Sequence, residues 1–185
     1  SRESVIADAI QLRGKLEQKA LEEEAVTGNY IRPIVLFQAQ PRSNDDNTTF
    51  DKIKHLLLEI GIPEEEIAIK TGEINDLKNV DLLSKACAVR YIITVNALKE
   101  GWDCPFAYIL ASLANKTSAV DVEQILGRVL RQPYTRQHQH FLLNSSYVLS
   151  CSNDFRNTLD SIVKGLNGAG FSRKDYRVGG EEEVP

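Results

Sequence analysis

The feature that most constrains this chain is a set of five short apolar runs in which polar residues do not alternate. They are residues 33–37 (Pro-Ile-Val-Leu-Phe), 67–69 (Ile-Ala-Ile), 91–95 (Tyr-Ile-Ile-Thr-Val), 107–110 (Ala-Tyr-Ile-Leu) and 147–149 (Tyr-Val-Leu). A strand with one wet face is polar at every second position, whereas a strand apolar throughout is covered on both faces. Between the runs, apolar residues recur at helical spacing, and the pattern predicts helices over 3–25, 50–60, 77–86, 119–131 and 154–166. Thr27-Gly28-Asn29 ends the first of these, and Gly61-Ile62-Pro63 the second. Strand and helix in alternation imply an α/β fold: a three-layer sandwich with a mainly parallel central sheet and helices on both faces.

The 185 residues suffice for one domain with an appendage, and such a domain buries a full core without metals or disulfides. The expected division is a helical arm over 1–30, a domain over 31–171, and a flexible tail over 172–185 that carries Gly179-Gly180 and Glu181 to Glu183. No apolar stretch reaches about 18 residues, so no membrane span is expected. The start, Ser-Arg-Glu-Ser, has neither Met nor an apolar signal core, and the chain reads as a piece excised from a longer protein. Cys87, Cys104 and Cys151 are odd in number and widely spaced, which favours a reducing cytoplasm over a disulfide framework. His138 and His140 have no third ligand nearby in sequence, so no metal site is expected. The net charge of −4 and pI near 5.5 argue against a broad basic face for nucleic acid.

Two segments carry chemistry. The first is Gln124-Ile-Leu-Gly-Arg-Val-Leu-Arg131. On a helix, Gln124, Arg128 and Arg131 lie at i, i+4 and i+7 and share a face, while Val122, Leu126 and Val129 share the opposite one. Gly127 flanks the polar face and removes a side chain, so another surface can come close. Two guanidinium groups on one face match the charge spread over a transferring phosphoryl group. The second segment, Asn96-Ala-Leu-Lys-Glu-Gly101-Trp-Asp103-Cys-Pro105, follows the run at 91–95. In open α/β sheets ligands bind beyond the carboxyl ends of the strands. There, Gly101 permits close backbone approach and Asp103 offers a carboxylate to a hydroxyl. Solvent-exposed arginines and an ordinary Gly/Pro turn are the plain alternatives for each segment taken alone.

Taken together and in order, the two segments resemble motifs V and VI of superfamily-two helicases. Gln124, Gly127, Arg128 and Arg131 match the Gln-x-x-Gly-Arg-x-x-Arg form of motif VI, Gly101 and Asp103 match motif V, and the run at 34–37 with Gln38 resembles motif IV. Residues 97–107, Leu143-Asn144 and Tyr147-Val148 are further similar to the helicase (Res) subunit of type III restriction enzymes, and the likeness spans about residues 30–155. The resemblance implies the second RecA-like domain of an ATP-dependent DNA helicase or translocase. It implies that Arg128, Arg131 and Gln124 serve ATP hydrolysis, that Gly101, Asp103 and Gly127 line the nucleotide, and that Gln38, Thr71, Gly72, Thr94 and Asn96 contact nucleic acid. It also implies ATP and Mg²⁺ held mainly by a first RecA-like domain, and DNA and a modification (methyltransferase) subunit as partners. One departure stands out: motif V usually carries a Thr before its loop, and here Val95 aligns with Thr94 adjacent.

Half of an ATP site is missing from the sequence. There is no Gly-x-x-x-x-Gly-Lys-Ser/Thr loop to cradle phosphates, and no Asp-Glu pair after an apolar strand to hold Mg²⁺. Nor is there an Asp…Glu-x-Lys nuclease constellation. The chain alone is expected to be inactive. A RecA-like module that binds nucleic acid or protein without turnover stays open as the alternative.

Overall fold

The computed structural model describes residues 1–40, 49–99, 103–114, 121, 124–131, 138–150 and 176–178, with the backbone alone at Arg131 and 176–178. Helix α1 spans Arg2–Thr27 and strand β1 Ile34–Gln38. Helix α2 (Phe50–Ile60) and strands β2 (Ile67–Ile69) and β3 (Tyr91–Thr94) follow. Next come β4 (Cys104–Pro105), β5 (Ala107–Ser112), a π-helical turn over Ile125–Val129 and β6 (Leu130–Arg131). Strands β7 (Ser146–Ser150) and β8 (Tyr176–Val178) complete the order. Six strands form one parallel sheet in the order β2-β3-β1-β5-β7-β8, and β4 and β6 form a separate parallel pair.

The five apolar runs are therefore strands β1, β2, β3, β5 and β7, and every residue of β2, β3, β5 and β7 is buried. Helix α2, in the connection from β1 to β2, lies against β3, and α1, which precedes β1, lies across β1, β5 and β7. The expected helix over 50–60 has the predicted bounds, closed by Gly61 at φ 106° and by the Ile62 N–H bond to Leu57 O (3.0 Å). Of its apolar residues Ile53 and Leu57 are buried, while Ile60 is exposed.

Helix α1, within the expected arm, packs into the core. Ile6, Ala9, Arg13, Leu16, Ala20 and Glu23 recur at alternating three- and four-residue steps, and all six are buried. Two members of this stripe are charged, and each is hydrogen-bonded, as burial of charge demands. Arg13 (6% exposed) donates to Tyr91 Oη (3.2 Å), Pro33 O (3.2 Å) and Glu17 Oε2 (3.0 Å). Glu17 also accepts from Arg90 Nε (3.2 Å). Burial opposes the Arg13 charge, but the Glu17 and Tyr91 contacts more than offset it and raise its pKa. Burial likewise favours protonated Glu17, yet Arg13 and Arg90 hold its carboxyl below the usual range. At the far end of α1, Glu23 accepts two bonds from the Gln139 N–H (3.0 and 3.1 Å) and lies 3.4 Å from His138 Nδ1.

Two expected elements differ. Residues 77–86 form successive turns rather than a helix. Asn75, Asp81 and Ser84 side chains accept from the N–H groups of Leu77, Leu83 and Ala86, and Asn79 takes φ 61°. Such local side-chain bonds compete with the helical ladder. Over 119–131, the described part is a π-helical turn ending in a short strand. Within the expected tail, Tyr176–Val178 pair in parallel with β7 at the sheet edge. The helix expected over 154–166 lies outside the described residues. Among the described residues no helix is long and apolar enough to cross a membrane.

Candidate functional site

Polarity changes abruptly at the carboxyl end of the sheet. The paired row Ile93–Phe37–Ala111–Leu149 is apolar, and the next row is Thr94–Gln38–Ser112–Ser150. The chain leaves β1 toward β2 and leaves β5 toward β7, so the direction of winding reverses between Gln38 and Ser112. Ligands of open α/β sheets bind at such a switch point. Thr94 is fully buried, and among the described residues neither Thr94 Oγ1 nor Gln38 Oε1 has a hydrogen-bond partner. An orphaned buried polar atom costs about 1–3 kcal/mol, so this edge holds polarity that no described residue compensates.

The other residues expected to meet nucleic acid flank this row. Lys70 N–H bonds to Ile93 O (2.9 Å), which holds the turn after β2 beside β3. In that turn Thr71 Oγ1 accepts from Ile74 N–H (3.0 Å), and Gly72 is exposed at the tip. Asn96, exposed after β3, caps the next turn through Lys99 N–H (3.3 Å). Gln38, Thr71, Gly72, Thr94 and Asn96 thus gather at the carboxyl ends of three adjacent strands.

The second group sits elsewhere. Phe106 O accepts from Ile34 N–H (2.8 Å) at the start of β1. Asp103 is exposed just before β4. Cys104 pairs with Leu130 and Pro105 with Arg131, which sets the two sequence motifs side by side. In the π-helical turn Ile125, Leu126 and Val129 are buried, whereas Gly127 and Arg128 are exposed. Arg128 Nη1 donates to Gln124 Oε1 (3.3 Å), so the expected shared face exists for these two. A π-turn within a helical segment frequently marks a functional site. The side chain of Arg131, and Gly101 and Val122 altogether, lie outside the described residues.

Cys104 is buried, which disfavours the thiolate form. Burial, with Asp103 next to it, pushes its thiol far above the usual range, and Arg32 offsets only part of this. Among the described residues no group of three His, Cys, Asp or Glu is placed to hold a metal ion. His138 is buried against Glu23, and His140 Nδ1 accepts from Leu142 N–H (3.2 Å), so both histidines have structural partners.

Sequence reasoning missed Ser112 and Ser150, whose place in the polar row depends on register, and the β4–β6 pair. It also missed Arg32 and Phe106. Phe106 adopts φ 68°, a backbone region a bulky residue enters only when its surroundings hold it there.

No family model matches the chain, and no curated protein matches it. Among solved structures it is similar to domain 2 of the DEAD-box helicase Mss116p bound to an RNA duplex. The identity is 13% and the TM-score 0.48, over 95% of this chain and 62% of that one.

Proposed function

We propose that this chain is the second RecA-like motor domain of a superfamily-two ATP-dependent DNA helicase or translocase, of the type III restriction kind. The observation that supports it most is the β4–β6 pair. It joins the Asp103 loop to the turn that exposes Arg128 beside Gln124, at a distance in sequence of some twenty-five residues. Exposed arginine with an aligned amide suits a polyphosphate, and guanidinium forks bind phosphate in two-point fashion. Arg128 and Arg131 orient the terminal phosphate, Gln124 holds Arg128 in place, and Asp103 offers its carboxylate to a hydroxyl. ATP, when bound, supplies the phosphoryl group whose hydrolysis drives stepping. In this reading a first domain supplies Mg²⁺ and the phosphate-cradling loop, since the sequence carries no Gly-x-x-x-x-Gly-Lys-Ser/Thr motif. The polar edge at Gln38, Thr71, Thr94 and Asn96 meets the nucleic-acid strand with a few side chains, in keeping with the net charge of −4.

The test is Arg131→Ala, and separately Arg128→Ala, in the protein that also carries the phosphate loop. Nucleic-acid-stimulated ATP hydrolysis should fall by about 10³-fold or more, the scale of an arginine finger. Unchanged hydrolysis would remove the motor reading.

A further inference from the structure

Among the described residues the largest fully buried side chain is charged: Arg32, 1% exposed. Its Nε donates to Val89 O (2.8 Å), its Nη1 to Ser84 O (3.0 Å) and Tyr30 Oη (3.2 Å), and its Nη2 to Leu82 O. Among the described residues no carboxylate forms an ion pair with it. Its charge is instead balanced by carbonyl dipoles and by two aromatic faces, with the guanidinium carbon 5.9 Å from the Tyr30 ring centroid and 5.7 Å from that of Phe106. Those two rings meet edge to face at 5.9 Å and 81°.

Phe106 is the strained residue, at φ 68°, and it directly follows β4. Three contacts hold it: its carbonyl on Ile34 N–H, its ring over Arg32 and its ring against Tyr30. Strain of this kind persists only where the surroundings over-determine it. The preceding two residues, Cys104 and Pro105, pair with Leu130 and Arg131. The direction in which the chain leaves β4 therefore bears on where β6, which also packs against β5, and the turn before it sit.

We infer that Arg32 is a positioning residue. By clamping Phe106 in its left-handed conformation, it fixes the β4–β6 pair and so sets Gln124–Arg131 against the Asp103 loop. This goes beyond the motor reading, because it concerns how two segments of this chain are coupled whatever ligand they meet. A claim of coupling needs both segments to respond to a change at a residue that touches only one of them.

Amide hydrogen exchange on the full chain, read by mass spectrometry, provides that test. Arg32→Met should raise exchange in residues 103–107 and 124–131 together, by about tenfold or more, with α2 (50–60) changed by less than about twofold. Arg32→Lys keeps the charge but not the fork, and should fall between. Loosening of 103–107 alone would overturn the inference, as would no change in either segment. A uniform rise that includes α2 would also overturn it, since Arg32 would then be a general core staple. If Arg32→Met does not fold, Phe106→Leu decides. It leaves Arg32 on its carbonyls and removes only the ring, and the same two segments must still loosen together.

Discussion

Replacing Arg13 with Met tests whether α1 is held by its buried charge. Met fills much of the same volume, so orphaned partners dominate the cost rather than a cavity. Pro33 O, Tyr91 Oη and Glu17 Oε2 each lose a donor, and the guanidinium 5.5 Å from the Tyr91 ring centroid is lost as well. Glu17 keeps Arg90, and its side chain is 29% exposed, so its share is discounted for solvent. The buried carbonyl and hydroxyl remain, at about 1–3 kcal/mol for each unsatisfied group. The expected loss is about 3 kcal/mol, a fall in Tm of roughly 6–12 °C for a chain this long. Urea unfolding followed by far-UV circular dichroism should show it as a lower midpoint at constant slope. A loss below about 1 kcal/mol would refute the reasoning, and so would strict additivity with Glu17→Gln, since contacting residues couple. The pH dependence has a fixed sign. Glu17 has its folded pKa below the ordinary 4.5, so its contribution is present above that value and is lost as pH falls through the lowered one. The stability gap between the wild type and Glu17→Gln should therefore narrow on acidification below about pH 4.5.

Three further outcomes follow from particular contacts. Glu23→Ala removes the acceptor of the Gln139 N–H and the neighbour of buried His138. It should cost about 2–3 kcal/mol in urea unfolding, and a loss under about 0.5 kcal/mol would contradict the docking of α1 by that residue. With Cys151 replaced by Ser, a thiol reagent should modify half-buried Cys87 in the folded protein and reach Cys104 only on unfolding. Early reaction of both would contradict the burial of Cys104. Arg128→Ala should leave unfolding within about 0.5 kcal/mol of the wild type, since the residue is exposed.

Much of the fold is legible in the sequence, for stated physical reasons. Short continuous apolar runs of three to five residues, too short for helices, fit strands covered on both faces, and all five are strands of one parallel sheet. The bounds of α2 were readable because Gly61 and Pro63 leave the helix no way onward. Residues 77–86 misled because Leu82, Leu83 and Ala86 have helical spacing, whereas Asp81 and Ser84 satisfy backbone N–H groups locally. Arg13 and Glu23 interrupt the apolar face of α1 in sequence, and only their partners on β3 and in 138–139 explain their burial. At the site, the shared face of Gln124 and Arg128 followed from spacing, which a π-turn preserves at i, i+4. The row from Thr94 to Ser150 did not, because strand register is a tertiary fact. Nor did the β4–β6 pair, whose two-residue strands carry no periodic signal at all.

The measurement that bears most directly on the account is nucleic-acid-stimulated ATP hydrolysis by the protein that carries this chain together with a phosphate-holding domain. It should be compared between wild type and Arg131→Ala, with binding of a nucleotide analogue measured alongside. The account predicts a fall in kcat of about 10³-fold or more, with much smaller change in nucleotide binding. Hydrolysis unchanged by the substitution would contradict it and favour the alternative of a module without turnover.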